Sequence, residues 1–208
     1  MPQPVHYSQP IHVEFVPEAV LQRPELAAHI ALISAWWNEI EARISAFLAA
    51  LAGGEAETVI SVFLAIKNDG AKRSTIDTIS ALKLSPDDYV RFQAILKRIN
   101  ERYSDRNTII HGAWGISPRY PDKLLWSDIR ESTVLHIEMM NLPASDRAAR
   151  LISEQKKIMV YGLSDFLQIE QRIQSAYEEL REFSKPFIEK GFGPLAKIDL
   201  PPTLIPQS

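Results

Sequence analysis

"PDDYVRFQAILKRINERYSDRNTIIHG", residues 86–112, decides how this sequence is read. Phe92, Ile95, Ile99, Tyr103, position 106 and Ile110 recur at steps of three and four, the spacing of one buried stripe on an α-helix. Ser85 can cap its start, Pro86 suits the first turn, and Asp87 and Asp88 favour the positive end of the helix dipole. Gly112 is the expected stop. At position 106 the stripe asks for an apolar residue, and the sequence supplies arginine.

On a helical wheel with Tyr103 at zero, Asn100, Asn107 and His111 fall at roughly 60°, 40° and 80°, a polar strip beside the stripe. Arg106 falls near about -60°, among Ile99 and Ile110, from where its long side chain can swing towards Asn107 and His111. A half-buried guanidinium needs an anion, because leaving it unpaired costs several kcal/mol. The anion is either a carboxylate from another helix or a phosphate that arrives with a ligand.

Outward from this helix the chain reads as a bundle. Leu26, Ile30, Ile33, Trp37, Ile40, Ile44, Phe47 and Leu51 form a continuous helical seam from Pro24 to Gly53–Gly54. Residues 55–68 make a second helix, "KNDGAKR" breaks it, and a short third helix carries Ile76, Ile79 and Leu82. Ser164 is expected to cap a last long helix with its seam at Phe166, Ile169, Ile173, Ala176, Leu180, Phe183 and Phe187, ended or kinked at Pro186. Between 113 and 161 the period changes, and "AWGIS", "KLLWSDI", "TVLHIEMM" and "KIMVYGL" read as short strands. The expectation is an all-α bundle over 23–190 with a small β-rich insertion at 113–161, a proline-rich arm at 1–22 and a proline-rich tail at 191–208.

Composition narrows the function. A net charge of -3 gives no global basic field for coating nucleic acid, although a few nucleotides can still be held at one site. With 46% hydrophobic residues in 208 the chain can build a substantial core. Cysteine is absent, so disulfides and thiolate metal sites are excluded. His6 and His12 lack a carboxylate cluster at ligand spacing, and neither a metal nor any other cofactor is expected. "MPQPVHYSQP" shows no secretory signal and no apolar run is long enough to cross a bilayer, so the expected location is cytoplasmic, away from membranes.

The stretch "RNTIIH", residues 106–111, resembles the signature of the HEPN superfamily: Arg, a polar residue, then His near the end of a long helix in an all-α bundle. Arg23 with His29 and Arg130 with His136 share the loose spacing, but Arg23 precedes a proline and Arg130 an acid. The resemblance implies a homodimer in which the 86–111 helices of two protomers meet and two motifs make one composite site that cleaves RNA without a metal. It assigns Arg106, His111 and Asn107 as catalytic, with Arg102, Tyr103 and Trp114 beside them as substrate-binding candidates. Many members are toxins or antiviral effectors, so an antitoxin or regulatory protein is a further expected partner. In one branch of the family the antitoxin modifies a tyrosine two residues after the His; here that position is Ala113, which argues against such regulation.

The chemistry fits on first principles. RNA carries its own nucleophile, the 2′-OH, and histidine titrates near neutrality and can take or give the proton. Arginine stays charged and can grip two phosphoryl oxygens at once. Two other readings remain: a module that binds a nucleotide or partner without cleaving, and a structural helical dimer in which His111 merely suits its helix end.

Overall fold

The computed structural model describes residues 2–7 and 10–192. The expected tail at 191–208 therefore lies almost wholly outside the described residues, which end at Phe192. Among the described residues the chain is mostly helical, with a small antiparallel sheet. The helices are α1 (Pro24–Ala52), α2 (Ala56–Ala65), α3 (Asp69–Lys83), α4 (Pro86–His111), α5 (Ile129–Asn141), α6 (Ala144–Gln155) and α7 (Leu163–Phe192), with a 3-10 helix at Pro17–Gln22. The strands are β1 (Gln3–Pro4), β2 (Glu14–Phe15), β3 (Gly112–Ile116), β4 (Leu124–Asp128) and β5 (Met159–Tyr161), in the spatial order β1-β5-β4-β3-β2.

The chain divides into two compact units, residues 1–41 with 93–179, and residues 42–92 with 180–208. The second is built on phenylalanine. Phe47 on α1 is fully buried, and its ring meets Phe92 at 4.9 Å, Phe187 at 5.5 Å and Phe183 at 5.7 Å. Such offset and edge-on pairs add to the area term of burial. Arg43 closes the same region by donating to the Ser184 hydroxyl at 2.7 Å and the Arg181 carbonyl at 3.1 Å. Gly53 ends α1 in the left-handed region at φ 71°, where a side chain would be strained.

The first unit carries the sheet. Trp37 packs tilted against Tyr103 at 5.6 Å and Trp36 against Tyr177 at 5.4 Å, while His29 on α1 meets Glu170 on α7 at 2.7 Å. The sheet's central strand β4 contributes Leu124 and Leu125, both fully buried. Its edges come from the arm: Gln3 pairs with Val160, and Glu14 with Ile116. The residues read as a proline-rich arm are thus part of the sheet. Gln155, buried at the end of α6, fixes the arm by accepting from the Ile11 amide at 3.1 Å and donating to the Tyr7 carbonyl at 2.8 Å.

Several expectations need correction. The β-rich insertion holds only β3, β4 and β5; "TVLHIEMM" lies in α5, and "NLPASDRAARLISEQ", whose composition suits a helical turn, extends that turn into the whole of α6. Leu135, Ile137 and Met139 mimic period-two alternation, but only Leu135 and Met139, one helical turn apart, are half-buried, while Ile137 is exposed. Asp128 caps the helix, its carboxylate accepting from the amides of Arg130 and Glu131. At the start of α7 Ser164 lies inside the helix rather than capping it, and the Asp165 carboxylate in the first turn reaches back to accept from the Gly162 amide at 3.0 Å. Pro186 does not end α7, which continues to Phe192. The break at "KNDGAKR" is shorter than expected, because Asn68 caps α3 by accepting from the Ala71 amide at 2.9 Å.

Candidate functional site

The candidate site is the last two turns of α4. Ser85 accepts from the Asp88 amide at 3.2 Å at the far end, and the stripe then buries Phe92, Ile95 and Ile99. Towards the C-terminus the buried face turns. Ile109 is fully buried, while Tyr103, Arg106 and Ile110 are only half-buried.

The cause is the pair of indoles that the sheet brings to the helix end. The last carbonyls of a helix lack intrahelical donors. Trp126 of β4 donates its indole N–H to the Thr108 carbonyl at 2.7 Å, and Trp114 of β3 donates to Ile109 at 3.2 Å. Trp114 is further held by the rings of Tyr161 at 5.2 Å and Phe166 at 5.7 Å. Gly112 permits the approach, because a Cβ there would stand 1.5 Å from the Trp126 indole nitrogen.

With two end carbonyls satisfied by tryptophans, the polar residues are not needed to satisfy them. Arg106 Nη1 donates to the Asn107 side-chain oxygen at 2.9 Å and lies 3.5 Å from His111 Nε2. The structure thus joins all three residues expected to be catalytic. Guanidinium nitrogens only donate, so a bond to Nε2 requires that nitrogen to be bare, with the proton on Nδ1. That is the form in which His111 can accept a proton. Asn107 is half-buried and His111 is exposed.

Arg106 shares with Arg23 a buried Nε that no partner satisfies, and differs from it in its contacts with Asn107 and His111. Among the described residues no carboxylate pairs with the Arg106 guanidinium. The neighbouring acid is already taken, since Asp105 meets Arg102 at 3.1 Å, and Arg102 also meets Glu101 at 3.5 Å. The fold therefore holds a half-buried cation open on one side.

The three substrate-binding candidates are engaged in packing or ion pairs. Arg102 holds Asp105, the Tyr103 ring lies on Trp37, and Trp114 braces the helix end. Asp105, Trp126 and Tyr161 were not singled out as site residues. Tyr161 is buried, and its phenol is pushed up to about 12 by burial first and then by the carboxylates of Asp165 and Asp105. A run of isolated aromatic and acidic residues in sequence carries no signal of such neighbours. Ala113, where one HEPN branch has its modified tyrosine, sits in β3 opposite Ser127.

The other two Arg–His spacings take different settings. Arg23 ends the 3-10 helix and His29 pairs with Glu170, whereas Arg130 and His136 lie on α5. Neither pair is joined by a hydrogen bond of the kind seen at Arg106.

Among the described residues no group of three or more His, Asp or Glu is placed to hold a metal ion, and no helix is long and apolar enough to cross a membrane. No family model, curated protein or solved structure matches the chain.

Proposed function

We propose that this protein is a HEPN-type endoribonuclease, cleaving RNA without a metal at a composite site where the α4 helices of two protomers meet. The observation that carries this reading is the open cation: Arg106 is half-buried beside His111, its Nε has no partner, and no carboxylate among the described residues answers it. A phosphodiester supplies the missing anion and the reaction together.

In the proposed step, the ribose 2′-oxygen attacks phosphorus and its proton passes to His111 Nε2. The bond from phosphorus to the 5′-oxygen breaks, and the imidazole of the second copy gives that oxygen a proton. The products are a 2′,3′-cyclic phosphate and a free 5′-OH. Arg106 neutralises charge on the phosphoryl oxygens, where a planar two-point donor outperforms a point charge. Asn107, holding Arg106 through its side-chain oxygen, orients that donor. Arg102 keeps the Asp105 carboxylate occupied, so Arg106 stays available to the substrate.

The same residues also suit an inactive module that binds a nucleotide, and that is the alternative reading. The separating experiment incubates purified wild type, His111→Ala and Arg106→Ala with a panel of single-stranded RNAs in EDTA. Cleavage by wild type alone, leaving cyclic phosphate ends, supports the enzyme. Binding by wild type that weakens in Arg106→Ala, without cleavage by any of the three, supports the module. A toxin or antiviral role, and an antitoxin or regulatory partner, follow only if cleavage is found.

A further inference from the structure

A second polar cleft lies on the first unit, at the open end of the sheet between the arm and the β3–β4 loop. It has a volume of about 330 Å³ and is lined by His6, Tyr7, Tyr120, Lys123 and Asp165 among others. That size falls in the roughly 300–1,000 Å³ range of small-molecule sites. Tyr7 and Tyr120 meet edge to face at 6.1 Å, and the Arg119 guanidinium covers the Tyr7 ring at 5.5 Å.

Cations stand in and beside the cleft without a matching acid among the described residues. Lys123 is half-buried, and among the described residues neither Lys123, Arg119 nor His6 pairs with a carboxylate. Arg150, by contrast, is matched by Glu138 and Glu154, and Lys157 by Glu154. The acid lining the cleft, Asp165, is engaged by the Gly162 amide at the start of α7. Tyr120 keeps its proton more firmly than an ordinary phenol, through burial first and then the neighbouring Tyr7, so it remains a hydrogen-bond donor.

We infer that this cleft binds a nucleotide, with the phosphate on Lys123 and the base against the Tyr7–Tyr120 pair. The phenol rings offer a base an apolar contact, and the half-buried Lys123 beside them favours a phosphorylated partner over a plain aromatic one. A free mononucleotide and one unit of a single-stranded RNA share this chemistry. The inference does not rest on cleavage at Arg106, because none of the cleft's residues belongs to that site.

The test uses full-length His111→Ala protein, which leaves the cleft unaltered, titrated with AMP, UMP, inorganic phosphate and a fluorescein-labelled single-stranded RNA decamer. Saturable binding of either nucleotide probe is expected, weakened about tenfold or more in Lys123→Gln and in Tyr7→Ala. Tyr7→Phe, which keeps the ring, should retain most of the affinity and controls for loss of the arm's fold. Binding of AMP or UMP identifies a free nucleotide as ligand, and binding of the decamer alone identifies an RNA strand. Equal binding of phosphate and nucleotide, affinity unchanged by Lys123→Gln, or no binding of any probe overturns the proposal.

Discussion

Trp126 reaches across from β4 to donate its indole N–H to the Thr108 carbonyl at 2.7 Å. One strand thus finishes a helix that precedes it, and the side chains at the helix end are released from that task. The bond also sets the level of Gly112, over which the indole lies.

Gly112→Ala should therefore be damaging out of proportion to its size. The added carbon would stand 1.5 Å from the Trp126 nitrogen, so the indole must leave its place. A loss of about 2–3 kcal/mol is expected from the overpacking and the uncapped carbonyl together. Trp126→Phe, which removes the donor but keeps a ring, should cost about 1–3 kcal/mol. Urea unfolding followed by circular dichroism measures both, and a Gly112→Ala midpoint equal to wild type would contradict this account.

Arg106 should show opposite signs for stability and activity. Its buried Nε has no partner, so Arg106→Met exchanges an uncompensated polar group for an apolar chain of similar reach. Stability should stay level or rise by about 1 kcal/mol, while RNA cleavage should fall on the order of a hundredfold or more. Arg106→Lys should restore little activity, since an ammonium cannot reproduce the two-point grip. A large drop in melting temperature for Arg106→Met would mark the residue as structural instead.

The buried phenol of Tyr161 gives a prediction at high pH. Its folded-state pKa is raised to about 12 from the ordinary 10.0, by burial and then by Asp165 and Asp105. The folded state thus holds the proton longer than the unfolded state. The stabilisation is fully present below about pH 10 and fades as pH rises towards about 12, by roughly 2–3 kcal/mol. Tyr161→Phe has no proton to lose, so its stability should fall less over that window. Parallel curves for the two proteins between pH 10 and 12 would refute the assignment.

Phe47 should be the most costly truncation in the second unit. It is fully buried and its ring touches Phe92, Phe183 and Phe187. Phe47→Ala should lose about 3–5 kcal/mol, detected by chemical unfolding.

Long seams made the helices legible. The stripes along Leu26–Leu51 and Phe92–Ile110 placed α1 and α4 to within a residue or two, because many turns average out local irregularities. Short segments did not have that advantage: α5 offers three turns, and its apolar residues fit two periods equally well. Arg106, Asn107 and His111 could be grouped from helix geometry alone, since they share one element. The indoles that free them come from β3 and β4, and Asp105 is withdrawn by Arg102; such relations depend on which residues meet in three dimensions.

The double edge pairing of the arm also governs the order in which the first unit can be finished during synthesis. The Ile11 amide waits for Gln155, 144 positions later, and β1 waits for β5. At a ribosomal pace of about 5–20 residues per second, the arm spends roughly 7–30 s outside the exit tunnel before its partners exist. For that interval its strands are without mates, and its prolines, which cannot donate to a ladder, serve as protection against pairing with the wrong one.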